Sequence, residues 1–392
     1  VYKRTLLNLL PPKSSAFIFG PRQTGKTTLV KELNLVKRIN LLQARTFTTY
    51  NRDPDLLFKE LSQLQIPAEN EKQLVWIDEI QKIPALLDVV HDSIENFKQI
   101  DFIITGSSAR KLRRGAANLL GGRALDLRLY PLSVEELEGD FNWNLYLRFG
   151  SLPRIYTEAL KDQTLACDLL DAYVSTYIQD EIRNEALVKS LDAFQRFLEV
   201  AAAQFAEQIN FAKIADDCLA SSTAVTNYYS ILEDTLIGSF LTPFASSVRK
   251  EFSQQPKFYF FDNGVTRAIQ GLSRSEYTNL EKGKLFEQAV FNELKKINDY
   301  YRKNLKFYLW RTSTGVEVDF VVMRNREILL AIECKATAHP TERDLAGLKI
   351  FKRSNPKVPV VLCCLVETDQ LIKEDYPAVS LQSLLEKVKD SM

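Results

Sequence analysis

The chain has almost no net charge: its 392 residues carry 51 Lys and Arg against 50 Asp and Glu. Global charge therefore announces neither a nucleic-acid nor a membrane partner, and any basic surface must be local. Metal-binding cysteine patterns are also missing. Cys167, Cys218, Cys334, Cys363 and Cys364 have no metal spacing, are odd in number and mostly sit in apolar surroundings, which reads as buried thiols in a reducing compartment. No apolar run reaches membrane-spanning length, and the N-terminus lacks the charged, apolar, small-residue order of a secretory signal. A cytoplasmic location with no membrane partner is expected. The first residue is valine, so the loss of at least an initiator methionine is expected too.

What is present is globular and large. With 45% hydrophobic and 26% charged residues, a chain of this length is too long for one core and should form two or three domains. Its organising stretch is Gly20-Pro21-Arg22-Gln23-Thr24-Gly25-Lys26-Thr27, directly after the apolar run Ala16-Phe17-Ile18-Phe19 and before a helical Thr28-Leu29-Val30. This completes G-x-x-x-x-G-K-[ST] in its required setting of strand, loop and helix, a phosphate-binding loop. Gly20 and Gly25 permit a backbone wrap whose N–H groups face one anion. Lys26 is expected to reach the β and γ phosphates of ATP, and the Thr27 hydroxyl to ligate Mg2+.

Further on, residues 38–43 read as a second strand and 51–64 as a helix. Leu74-Val75-Trp76-Ile77 then runs into Asp78-Glu79, a buried parallel strand delivering two acids at its C-terminal edge. Asp78 is expected to hold Mg2+ and Glu79 to polarise the attacking water. A third strand, Phe102-Ile103-Ile104-Thr105, leads to Gly106-Ser107-Ser108. In ATPases with such an acid pair, the strand between the phosphate loop and the acidic strand ends in a polar residue that senses water and γ-phosphate. Ser107 is the first choice, with Ser108 or Thr105 as alternatives. A basic run (Arg110, Lys111, Arg113, Arg114) precedes Gly121-Gly122-Arg123 and an alternating strand at 125–129. Arg123 could act as an arginine finger, within the chain or across a subunit boundary in a homo-oligomer; it could equally be a solvated charge.

Together with Asp78-Glu79-Ile80-Gln81, Tyr130-Pro131-Leu132-Ser133 and Gly150-Ser151-Leu152-Pro153, these motifs resemble bacterial and archaeal AAA-type ATPases whose C-terminal half is a domain of unknown function. The resemblance spans nearly the whole chain and implies an ATPase.

The middle is helical by pattern, with apolar spacing at 169–181 and 191–206. Residues 209–215 and 221–232 resemble a winged helix-turn-helix, but from Phe205 to Ala245 one base, Lys213, faces five acids. A recognition helix without Lys or Arg is a poor reader of DNA, so a connector or subunit contact is expected.

Beyond Pro256 a second candidate site appears. A helix at 283–296 carries Glu287, and strands at 309–312, 316–322 and 329–335 follow. Two neighbouring strands would bring Asp319 together with Glu333 and Lys335, which share a face. The order Glu287, Asp319, Glu333-Cys334-Lys335 resembles the core of the PD-(D/E)XK nucleases, with Glu317-Val318-Asp319 in place of a literal Pro-Asp. The resemblance implies that Asp319 and Glu333 bind Mg2+, that Glu287 supports the metal, that Lys335 activates water, and that DNA or RNA is cleaved. Local charge is mildly favourable, with 22 Lys and Arg against 18 Asp and Glu from Pro256 onward.

The expected class is thus α/β, in three parts: an AAA-type P-loop NTPase domain with a parallel sheet (1–148), a helical, winged-helix-like middle (149–250), and a C-terminal α/β restriction-endonuclease-like domain (251–392). Pro21, Arg22, Gln23, Thr24 and Thr28 complete the expected nucleotide contacts. Two functions fit: an ATPase coupled to a metal-dependent nuclease, or a nucleotide-switched interaction protein whose C-terminal domain is catalytically silent and binds a partner.

Overall fold

The computed structural model describes residues 2–10, 14–64, 72–107, 120–178, 191–244 and 255–391. It forms two compact units, Val1–Leu132 with Asp234–Leu236, and Ser133–Glu233 with Ile237–Met392.

The first unit is built on five parallel strands: β1 (Ser15–Phe19), β2 (Leu35–Asn40), β3 (Gln73–Asp78), β4 (Ile100–Gly106) and β5 (Ala124–Arg128). Their order is β2-β3-β4-β1-β5, which places β4 between the phosphate-loop strand and the acidic strand. β1 and β4 are buried along their whole length, matching their continuous apolar sequence. Phe17, Phe19, Val75, Ile77, Phe102 and Ile104 form one core with Leu86 and Val90 of helix α2 (Leu86–Asn96); helix α1 (Lys26–Lys31) follows the loop after β1. Each such side chain contributes about 1.5–3 kcal/mol on burial.

Two expectations shift here. The second strand runs Leu35–Asn40, not 38–43; it is an alternately exposed edge strand, and just past its end Leu41 N–H donates to Asp78 O at 3.2 Å. The single helix at 51–64 is two, Ala44–Arg52 and Leu56–Ser62. Pro54 bars helical backbone at Asp53, which sits at φ −139° and ψ 86°.

The second unit opens with a short helix, Val134–Leu137, followed by helices Trp143–Phe149, Pro153–Ala159 and Gln163–Ala172. The last passes into a wider π-helical turn at Tyr173–Ile178 instead of running straight to 181; residues 179–190 lie outside the described part. Helix Leu191–Ala203 ends three residues short of the expected 206. Helices α3 (Phe211–Asp217) and α4 (Ser222–Asp234) precede β6 (Gly238–Leu241), which pairs antiparallel with β7 (Lys257–Phe260).

A mixed six-stranded sheet completes the chain, in the order β12-β13-β11-β10-β9-β8. Its strands are β8 (Lys306–Arg311), β9 (Glu317–Arg324), β10 (Glu327–Lys335), β11 (Val360–Cys364), β12 (Gln370–Lys373) and β13 (Tyr376–Ser380). β9 runs antiparallel to both β8 and β10; β10, β11 and β13 are parallel to one another, and β12 is antiparallel to β13. Helix α5 (Asn279–Tyr300) is longer than the expected 283–296, because Thr278 caps its start by accepting from Glu281 N. Helix α6 (Ala346–Ser354) packs Leu348 and Phe351 onto the core of this sheet. Among the described residues, no helix is long and apolar enough to cross a membrane.

Candidate functional site

The loop after β1 is fixed by close approach and by backbone sign. Leu129 N–H donates to Phe19 O at 2.7 Å, and this puts Leu129 so near that a Cβ at Gly20 would lie 2.2 Å from Leu129 O. Gly25 sits at φ 94°, where side chains are disfavoured. Within the loop, Thr24 Oγ1 donates to Pro21 O at 2.9 Å, and Lys26 Nζ donates to Gly20 O and Pro21 O at 2.7 and 3.0 Å. Lys26 is buried, Arg22, Gln23 and Thr27 are half-buried, and Thr28 is exposed. The loop is clamped from behind by Arg4, itself buried, whose guanidinium donates to Thr24 O at 2.5 Å and Tyr130 O at 2.6 Å.

Asp78 and Glu79 leave the C-terminal end of β3. Thr105, opposite Asp78 on β4, donates to Asp78 Oδ1 at 2.6 Å and accepts from Trp76 Nε1 at 2.9 Å. Thr105, weighed as a sensor, is thereby occupied in orienting Asp78. Burial pushes the Asp78 carboxyl up from its ordinary range, against the pull of Thr105 and of the Lys26 ammonium. A buried carboxylate so oriented, in the field of Lys26, has the oxygen-donor chemistry that Mg2+ takes, as has the half-buried Thr27 hydroxyl.

Glu79 stands at φ 60°, a left-handed conformation rare for a side-chain-bearing residue. The turn it opens brings Gln81 back, whose Nε2 donates to Glu79 Oε2 and, at 3.1 Å, to Ser107 Oγ. Ser107 is buried at the end of β4, so one amide bridges the expected base and the expected sensor. The room is provided by Gly106, where a Cβ would meet Gln81 Oε1 at 2.6 Å. Arg123 is paired with Glu95 of α2, whose carboxyl it holds below the usual range; both side chains are exposed. Ser108 and the basic run at 110–114 lie outside the described residues.

In the second unit the structure does bring Glu287, Asp319, Glu333 and Lys335 together. Asp319 on β9 accepts from Cys334 N on β10 at 2.8 Å, and Lys335 Nζ donates to Glu333 Oε1 at 2.7 Å. Burial, then the neighbouring Glu287 and Glu333, push the Asp319 carboxyl well above its usual range; burial also raises Glu333, against the pull of Lys335. A further cation, Lys257 at the start of β7, stands among these acids. Its ammonium is 2.8 Å from Glu287 Oε1, 3.4 Å from Glu317 Oε1 and 3.9 Å from Asp319 Oδ1. Among the described residues, no group of three or more His, Cys, Asp or Glu side chains is disposed to hold a metal ion. The expected ligands are therefore neighbours, but as arranged they do not fit a metal.

Sequence reasoning overlooked Arg4, the bridging role of Gln81, the orienting role of Thr105, and Lys257. Gln81 had a signal, its place in Asp78-Glu79-Ile80-Gln81. An isolated Arg4 and a strand-heading Lys257 had none.

Residues 13–138 match the model of an AAA domain, 140–276 a domain of unknown function (DUF8612) and 282–384 another (DUF4143). The chain thus carries an N-terminal AAA-type P-loop ATPase domain followed by two domains of unknown function. An uncharacterized protein of Haemophilus influenzae is 24% identical over 304 residues, covering 73% of this chain and 72% of the relative. One of Methanocaldococcus jannaschii is 22% identical over 395 residues, covering 92% and 85%. Among solved structures, the Aeropyrum pernix ORC2 protein in its ADP form aligns with a TM-score of 0.31 at 17% identity, over 69% of this chain and 92% of that one. A DNA polymerase III gamma subunit-related protein of Thermotoga maritima aligns with a TM-score of 0.24 at 11% identity, over 74% and 98%.

Proposed function

We propose that the protein is a nucleotide-switched ATPase that binds and hydrolyses ATP with magnesium, and that its C-terminal domain recognises a partner without cleaving nucleic acid. The observation that carries the ATPase reading is the placement of one phosphate loop and one acid pair at the same edge of a parallel sheet, with β4 between them. Gly20, Pro21, Arg22, Gln23, Thr24, Gly25 and Thr28 supply the cradle around the phosphates, and Lys26 the charge that meets the β and γ groups. Thr27 and Asp78 would hold magnesium, which neutralises the phosphate charge when bound. Glu79 takes the proton of the attacking water, and Ser107 senses the γ-phosphate.

Against a cleaving C-terminal domain stands Lys257, whose ammonium lies among the acids a nuclease would use for metal. The test is twofold. Lys26→Ala should abolish ATP binding, whereas Glu79→Gln should keep binding and lose hydrolysis by orders of magnitude. An undiminished rate in Glu79→Gln would remove Glu79 as the base. Labelled single- and double-stranded DNA and RNA, incubated with Mg2+ or Mn2+ and with or without ATP, should stay intact. Cleavage that Asp319→Ala abolishes would reinstate the nuclease reading.

A further inference from the structure

The acids at the junction of β9 and β10 already have a cation among them. We infer that Lys257 is a tethered counter-ion that occupies the Glu287, Glu317 and Asp319 cluster in place of a divalent metal, leaving the cluster metal-free. The inference rests on the reading of that domain as non-cleaving and gives its physical reason.

Position comes first. Lys257 is only 4% exposed, and its ammonium touches Glu287 and Glu317 and lies 3.9 Å from Asp319. Magnesium takes oxygen ligands at about 2.1 Å, so an ion shared by Glu287 and Asp319 would stand against an ammonium already beside both. At such separations like charges repel strongly.

Each acid also accepts a hydrogen bond from another donor of the chain on at least one oxygen. Tyr259 OH donates to Glu287 Oε1 at 2.5 Å, Arg311 to Glu317 Oε2 at 2.9 Å, Cys334 N to Asp319 Oδ2 at 2.8 Å and Lys335 to Glu333 Oε1 at 2.7 Å. Glu333 Oε2 is buried with no hydrogen-bond partner among the described residues and lies near Gly347 of α6, where a Cβ would come within 3.2 Å of it. Four carboxyls, Glu287, Glu317, Asp319 and Glu333, thus face three cations of the chain itself, Lys257, Arg311 and Lys335. Burial alone would pull the Lys257 ammonium down, but Glu287, Asp319 and Glu317 outweigh it and push it up, so it stays charged at neutral pH.

The experiment is a Mn2+ titration of the nucleotide-free full chain, read by electron paramagnetic resonance. The native protein, Lys257→Met and Lys257→Met/Asp319→Asn are compared. The native chain should show no site that depends on Asp319. Lys257→Met should gain one, with affinity raised at least about 100-fold, and Asp319→Asn should remove it. Tight binding by the native chain that Asp319→Asn abolishes would overturn the inference, as would no gain in Lys257→Met. Should Lys257→Met fail to fold, Lys257→Met/Glu287→Gln removes one charge of each sign and should recover most of the lost stability; no recovery also overturns it. Nucleic-acid cleavage is assayed on the same samples. Native protein that binds Mn2+ through Asp319 without cleaving removes the counter-ion but leaves the switch reading, whereas cleavage removes that reading itself.

Discussion

The side-chain amide of Gln81 joins Glu79 to Ser107, donating to Ser107 Oγ at 3.1 Å and to the Glu79 carboxylate from the same nitrogen. An amide nitrogen carries two hydrogens, so it can hold both at once. Glu79 is at φ 60°, and its carboxylate is aimed by this bond as well as by its backbone. Gln81→Ala is therefore expected to lower kcat by about 10- to 100-fold with KM for ATP within about twofold. Gln81→Asn, one methylene shorter, should recover little. A steady-state series checks this, and a kcat unchanged in Gln81→Ala would deny Gln81 any role in positioning the base.

Arg4 is the second test, because it supports the phosphate loop without belonging to the motif. Its guanidinium serves two backbone carbonyls, Thr24 O and Tyr130 O, in a buried setting. Removing it strands those acceptors at about 1–3 kcal/mol each. Arg4→Met should lower the melting temperature by several degrees and weaken ATP binding, with Lys conserving little because a point charge cannot fork. Calorimetric unfolding with and without ATP separates the two effects. Native-like melting and affinity would show that the loop holds its shape unaided.

The loop itself was legible because its demands are local. Gly20 answers one backbone approach, Gly25 one positive φ, and Lys26 and Thr27 follow directly. β3 and β4 were legible because buried parallel strands read as unbroken apolar runs. The helix break at Pro54 was also written in the sequence; taking Asn51-Arg52-Asp53-Pro54 as an opening, not a stop, hid it. Other features depend on residues far apart. Nothing in a strand beginning Lys257-Phe258 says that its first side chain will meet Glu287, Glu317 and Asp319, because each comes from a different element. The order of Glu287, Asp319, Glu333 and Lys335 could be read, but the cation set among them could not.

Two glycines of the second unit should respond oppositely to a methyl group. On α6, a Cβ at Gly347 would lie 2.1 Å from Glu317 O and 3.2 Å from Glu333 Oε2, so Gly347→Ala must push α6 off the acid cluster. A loss of about 1–3 kcal/mol is expected from such overpacking. On α5, a Cβ at Gly283 meets nothing within 4 Å, and Gly283→Ala should add about 0.5–1 kcal/mol by helix propensity. Denaturant unfolding of the two variants decides; equal effects would mean that the close approach at Gly347 is relieved without cost.

The last prediction concerns pH. Burial, Glu287 and Glu333 hold the Asp319 carboxyl well above its unfolded value of about 3.9, so the folded chain keeps this proton longer than the unfolded one. Below about pH 4 both states are protonated and the group has no effect. As pH rises through the window between the two values, the unfolded state ionises first, and the native protein loses stability. Asp319→Asn cannot ionise, yet its side-chain oxygen can still accept from Cys334 N. The variant's stability relative to native should therefore be near its minimum at about pH 4 and increase toward neutrality. Urea unfolding of both proteins at pH 4.5, 6 and 7.5 gives the difference directly, with other titrating groups cancelling. A difference that shrinks with rising pH would mean that Asp319 is ionised in the fold and draws net stability from Lys257.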